Sequence, residues 1–135
     1  MMRVYLSVPM VANRALGRAE LMARAIRDSG HEVTSPWVLG PLEHSTSGLD
    51  VFQRDMKGAE GCDVLVADVS EPSIGVGMEI MAAYKSRRRV ILISKKGAMT
   101  SRMLQHMDRK ETLEFEREED VYTELRRLLE SSPHN

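Results

Sequence analysis

The sequence predicts an α/β fold with a mostly parallel sheet and helices on both faces. Short apolar runs alternate with amphipathic segments along the chain. Two of these runs, D-V-L-V-A-D at 63–68 and R-V-I-L-I-S at 89–94, are apolar throughout their middle. Continuous apolar runs of that length suit strands buried on both faces of a parallel sheet. Segments rich in Gly, Pro, Ser and Thr separate the runs and read as loops.

Each element has its own signal. Residues 3–7 (R-V-Y-L-S) read as a first strand. Residues 14–29 place Leu16, Ala19, Leu21, Met22, Ala23 and Ile26 at helical spacing, and Gly30 stops the helix. A short second strand follows at 31–34, then a loop at 35–48. Residues 49–61 form a second helix with Asp50 near its start, where an acid complements the dipole. After the 63–68 strand, a loop at 71–77 leads into a third helix at 78–86. The 89–94 strand, a short helix at 100–107, a fifth strand at 111–115 and a closing helix at 120–130 complete the pattern. Residues 131–135 read as a frayed tail on a single domain spanning 1–135.

Bulk composition bounds the function. One domain and one core fit 135 residues, with hydrophobic residues at 42% and charged residues at 29%. Aromatics are scarce at 4%, and ten Met residues supply adaptable packing instead. A net charge of −1 provides no global basic field to hold a nucleic acid polymer. The basic run from Lys85 to Arg89 reads as a helix C-terminus complementing its dipole. Cys62 is the only cysteine, so a disulfide framework is excluded. No apolar stretch is long enough to span a bilayer, and the first strand is too short for a signal-peptide core. A cytoplasmic protein is the expectation.

The chemistry concentrates between Asp63 and Lys85, D-V-L-V-A-D-V-S-E-P-S-I-G-V-G-M-E-I-M-A-A-Y-K. A buried strand ends at Asp68, and a loop with Ser73, Gly75 and Gly77 enters a helix near Met78. Glycines let the backbone approach a ligand closely, and a helix N-terminus attracts anions, so the loop suits a phosphate, with the Ser73 hydroxyl as a further donor. A tight turn packing helix on strand explains the same glycines equally well. Glu79 is expected in the first helical turn, where the dipole favours the ionised carboxylate that a nucleophile needs. A surface or capping-box Glu is the plainer reading of that residue. Glycosidic chemistry calls for a second carboxylate. Asp55, in the middle of the second helix, is the candidate, although pairing with Arg54 or Lys57 explains it too. Asp68 is its rival, with a loop-capping role as the alternative.

Taken as a set, the stretch V-F-Q-R-D-M…A-E-G-C-D-V-L-V-A-D-V-S-E-P-S-I-G-V-G-M-E-I resembles the nucleoside 2-deoxyribosyltransferase superfamily, and within it the 2′-deoxynucleoside 5′-phosphate N-hydrolases. The similarity runs from about Val4 to Met107 and is strongest from Asp55 to Ala83. The resemblance implies a Rossmann-like three-layer sandwich on a five-stranded sheet, and a homodimer with shared active sites. It makes Glu79 the nucleophile that forms a covalent glycosyl-enzyme, and Asp55 the acid that helps the base depart. Ser73, Gly75 and Gly77 match the phosphate loop. Ser7, Val8, Pro9 and Met10 occupy the sugar- and base-contacting turn, with Val8 and Pro9 departing from the family pattern. Ser101 matches a serine that reaches the phosphate from the neighbouring subunit, and Met103 lies in the same cross-subunit segment; a helix N-cap is the plainer role for Ser101. Trp37, just past the second strand, is a candidate to stack on a base or to pack in the core.

The expected activity is hydrolysis of (2-deoxy)nucleoside 5′-monophosphates to free base and (2-deoxy)ribose 5-phosphate. No metal or cofactor is expected, because no His, Cys and Asp cluster has ligand spacing. Two alternatives share the sequence features: a base-exchanging deoxyribosyltransferase, and a non-catalytic nucleotide sensor that kept the phosphate loop.

Overall fold

A computed structural model describes residues 1–98 and 101–131. Five strands form one parallel sheet: β1 (Arg3–Ser7), β2 (Glu32–Val33), β3 (Val64–Asp68), β4 (Arg89–Lys95) and β5 (Glu111–Phe115), in the order β2-β1-β3-β4-β5. Five helices connect and cover them: α1 (Leu16–Asp28), α2 (Gly48–Gly61), α3 (Ile74–Lys85), α4 (Arg102–His106) and α5 (Asp120–Glu130). This is the α/β architecture that the alternation of runs predicts. The last strand pairs in parallel like the rest, with Ile91 beside Glu111 and Lys95 beside Phe115. No helix among the described residues is long and apolar enough to cross a membrane.

The two-residue period of the strands divides the core between two faces. Val4, Leu6, Val64, Val66, Ile91 and Ile93 point to one side and pack under α1 and α5. Tyr5, Leu65, Ala67 and Leu92 point to the other and meet Ala59 of α2 with Ile80 and Ala83 of α3. The continuous apolar runs of β3 and β4 follow from this burial on both sides.

Several boundaries differ from the sequence reading, and one changes the chemistry. The loop at 35–48 contains a 3₁₀ turn at Pro36–Leu39, begun by a proline at its first position. The third helix starts at Ile74 rather than Met78, so Gly75 and Gly77 lie inside its first turn. Ser73 is its N-cap: Oγ accepts a hydrogen bond from the Val76 N–H at 3.3 Å. Two glycines suggest a loop on propensity alone, but the cap and the packing of Val76 and Ile80 outweigh that weak preference. Glu79 therefore sits in the second turn, away from the strongest part of the dipole. Position 100 of the expected short helix and the tail at 132–135 lie outside the described residues.

Candidate active site

The sheet order places β1 and β3 side by side at the point where the chain direction across the sheet reverses. Loops diverge there at the strands' carboxyl ends and leave a crevice, the usual ligand position in such sheets. The turn after β1 supplies Val8, Pro9 and Met10, and the loop after β3 leads to Ser73 and the N-terminus of α3.

Glu79 projects from α3 under this crevice and is only 7% exposed. Its carboxylate is held from β1. Ser7 Oγ donates to Oε1 at 2.8 Å, and the Tyr5 hydroxyl donates to Oε2. Tyr5 and Ser7 are two residues apart, so both reach the same face of the sheet. Burial pushes the Glu79 carboxyl up to about 7, against the two hydroxyl donors, which favour the ionised form. The nearby Asp55 carboxylate raises it further, and the Arg54 guanidinium lowers it. Burial and the Glu79 carboxylate push the Tyr5 hydroxyl far above its ordinary value, so it remains a donor. The environment of this carboxylate is thus set by burial and two hydroxyl donors rather than by a helix dipole.

Asp55 comes from α2 across the crevice. Arg54 Nε donates to its Oδ1 at 2.9 Å, the pairing that was its plainer explanation, yet the carboxylate also lines the crevice with Glu79. Arg54 is itself clamped: Nη1 donates to both oxygens of Glu43, at 2.8 and 3.0 Å. Its guanidinium lies 3.9 Å from the centroid of the Trp37 ring. The Trp37 ring meets Tyr5 edge-on, with centroids 6.1 Å apart. One face of the tryptophan is therefore taken by Arg54, and the ring also walls the hollow beside the carboxylates.

Two hollows meet at the carboxylates. One, of about 140 Å³, is lined by Tyr5, Trp37, Glu43 and Arg54. The other, of about 250 Å³, is lined by Phe52, Ser73, Gly75 and Met78. Val8, Met10, Val51, Asp55 and Glu79 belong to both. Pro9 faces an adjoining hollow of about 540 Å³ that also touches Ser73 and Gly75. A Cβ built on Gly75 or Gly77 meets nothing within 4 Å, so neither glycine serves helix–strand packing.

The fold thus gathers Glu79, Asp55, Ser7, Val8, Met10, Ser73 and Gly75 into one crevice, with Pro9 beside it. It does not bring Gly77, Ser101 or Met103 into that crevice. These three line a separate groove of about 660 Å³ on the other flank of α3, which Ser73 also borders. Ser101 caps α4, its Oγ accepting from the Leu104 N–H at 3.2 Å, and Met103 is 81% exposed. Asp68, the rival second acid, is committed elsewhere. Its Oδ2 accepts from Arg18 at 2.8 Å, and its Oδ1 accepts from the Ser70 N–H at 3.0 Å. Among the described residues no group of three or more His, Cys, Asp and Glu is arranged to hold a metal ion.

Sequence reasoning missed Tyr5, Arg54 and Glu43. A signal for the first existed: R-V-Y-L-S puts two hydroxyls on one face of a strand otherwise buried in apolar surroundings. Glu43 gave none, because its loop follows no local pattern.

No family model matches the chain. A protein from Thermofilum pendens, provisionally named 2′-deoxynucleoside 5′-phosphate N-hydrolase 1, is 35% identical over 104 residues, covering 74% of this chain and 73% of its own length. The solved structure of a CMP N-glycosidase from Clostridium botulinum shares the fold, with a TM-score of 0.72, 18% identity, and coverage of 91% of this chain and 96% of that one. A 2-deoxyribosyltransferase from Bacillus psychrosaccharolyticus superposes with a TM-score of 0.66 and 25% identity, covering 89% of this chain and 90% of that one. The five-stranded parallel sheet, the crevice at its switch point and these likenesses agree, and the chain belongs to the 2′-deoxynucleoside 5′-phosphate N-hydrolase branch of the nucleoside 2-deoxyribosyltransferase superfamily, a family of N-glycosidases.

Proposed function

We propose that this protein hydrolyses the N-glycosidic bond of (2-deoxy)nucleoside 5′-monophosphates, releasing free base and (2-deoxy)ribose 5-phosphate through a covalent glycosyl–Glu79 intermediate. The observation that carries the reading is the buried Glu79 carboxylate, held by the Tyr5 and Ser7 hydroxyls beside a second carboxylate, Asp55.

The substrate phosphate rests on the first turn of α3, where the backbone N–H groups point outward and Gly75 leaves room for close approach. The Ser73 Oγ accepts from Val76, so its own hydrogen is free for a phosphate oxygen. This anchoring is remote from the reacting bond and orients the sugar. Ionised Glu79 attacks C1′ as the C1′–N bond breaks, and the electron pair leaves with the base nitrogen. Asp55 helps the base depart by carrying a proton to it. Asp55 then takes a proton from water, which attacks C1′ and returns Glu79 to its carboxylate. Tyr5 and Ser7 hold the nucleophile in one rotamer throughout.

The reading includes a homodimer in which the partner's Ser101 completes the phosphate site. Ile74 and Met81 of α3 and Met103 of α4 are exposed and line one groove on the outer flank of α3. An apolar stripe of that kind suits a protein interface.

Glu79→Ala should abolish base release while the fold survives, a loss on the order of a hundredfold or more. Chromatography of deoxynucleotide and ribonucleotide digests, with circular dichroism of the variant, measures both. Retained turnover in a folded Glu79→Ala variant sinks the nucleophile assignment. Supplying adenine with a pyrimidine deoxynucleoside tests base exchange: a new deoxynucleoside would move the protein to the transferases.

A further inference from the structure

We propose that Glu43 and Arg54 read the base, and that they select bases in which an exocyclic amine flanks a ring-nitrogen acceptor, cytosine or adenine, over the deaminated counterparts uracil and hypoxanthine. The inference rests on the hydrolase reading above and adds its base specificity.

Position comes first. The reacting C1′ must lie at Glu79 and Asp55, which the two hollows share. The phosphate end belongs to the hollow that contains Ser73 and Gly75. The base, on the far side of C1′ from the phosphate, then falls in the hollow walled by Trp37, Val38, Glu43 and Arg54.

Chemistry follows from that wall. The Tyr5 hydroxyl is committed to Glu79. The polar groups left to meet a base edge are the Glu43 carboxylate and the Arg54 guanidinium. Glu43 is acceptor-only; each oxygen takes one bond from Arg54 Nη1 and keeps a free lone pair. Arg54 Nη2 makes no hydrogen bond among the described residues and remains a donor. Their mutual grip and the Trp37 stack fix both groups, so an acceptor stands beside a donor in one rigid edge. The amine and N3 of cytosine present the complementary order, donor then acceptor, as do the amine and N1 of adenine. Uracil and hypoxanthine reverse both. They set a carbonyl against the carboxylate and an N–H against the guanidinium, leaving all four groups unpaired or opposed.

The experiment compares base release within two pairs, dCMP against dUMP and dAMP against dIMP, by chromatography with the wild-type protein and with Glu43→Gln. In any accepted pair the amino member should have the higher kcat/KM, by about tenfold or more. The amide of Glu43→Gln offers a donor as well as an acceptor, so the ratio should fall toward one. Equal kcat/KM within a pair for the wild-type protein overturns the inference. So does an unchanged ratio in a Glu43→Gln variant shown to be folded by circular dichroism. Base release from other nucleoside monophosphates but from none of these four sinks the role of Glu43 and Arg54 alone, as does turnover without discrimination; no base release from any deoxy- or ribonucleoside monophosphate fails the hydrolase reading itself.

Discussion

Glu79 holds a group that the fold would prefer uncharged. Its carboxyl lies near the ordinary value of 4.5 when exposed and is pushed up to about 7 in the crevice. Between those values the folded chain binds a proton that the unfolded chain has lost, so stability falls as pH rises through that window. The loss is complete once the folded group ionises, and amounts to roughly 3 kcal/mol at most. Glu79→Gln should therefore melt higher than the wild-type protein near about pH 8, with the difference vanishing near about pH 4. Thermal unfolding followed by circular dichroism checks this; equal melting at both values would mean that the carboxylate is better solvated than its burial implies. On the proposed mechanism the same group also sets the rate. A nucleophile must be ionised, so kcat/KM should climb with pH through an inflection near about 7. A profile that instead falls above that inflection would make Glu79 a proton donor. The family resemblance singles out Glu79 and Asp55, but the hydroxyls that grip Glu79 are not legible in the sequence. A tyrosine in an apolar strand reads as core, and Tyr5 becomes a site residue only because β1 packs beneath α3.

At the scale of the element, α2 and α3 must approach β1 closely enough for Asp55 and Glu79 to share one crevice. Gly58 permits this. A Cβ at that position would lie 2.7 Å from Tyr5 Cε2 and 2.9 Å from Cδ2. The Tyr5 ring is fully buried and cannot swing away. Gly58→Ala should push α2 outward and carry Asp55 with it, costing about 1–3 kcal/mol of stability. It should also cost about tenfold or more in kcat through misplacement of the carboxylates. Gly61→Ala is the control, since a Cβ there meets nothing within 4 Å. Denaturant melts and single-turnover base release on the two variants decide the matter: equal behaviour would remove the steric role of Gly58. The start of α3 shows why element boundaries resist reading from sequence. Gly75 and Gly77 favour loop by propensity, and only the Ser73 cap with the burial of Val76 and Ile80 draws them into the helix.

The whole molecule raises the question of what covers the outer flank of α3. Ile74 is 87% exposed and Met103 is 81% exposed, and Met81 extends the same apolar surface along the groove. Within one chain, Ser101 and Gly77 border this flank and not the Glu79 crevice. A two-fold dimer through α3 and α4 would bury the stripe and bring the partner's Ser101 toward Ser73. Mixing Glu79→Ala with Ser101→Ala then tests whether sites are shared. Hybrid dimers carry one intact site, so activity should recover to at most about a quarter of the wild-type level. No gain on mixing, in a solution shown by light scattering to be dimeric, would assign each site to a single chain.

The order of the elements and the parallel sheet were written in the sequence alone, because apolar periodicity is a local property of the chain, and the family resemblance singled out the two carboxylates. The environment of those carboxylates was decided by the tertiary structure. Burial moves the Glu79 carboxyl toward neutrality, β1 brings Tyr5 and Ser7 onto it, and the loop after β2 carries Glu43 to Arg54. These contacts join residues 11 to 74 positions apart. No local pattern encodes such pairs, since they exist only once packing has brought distant segments together.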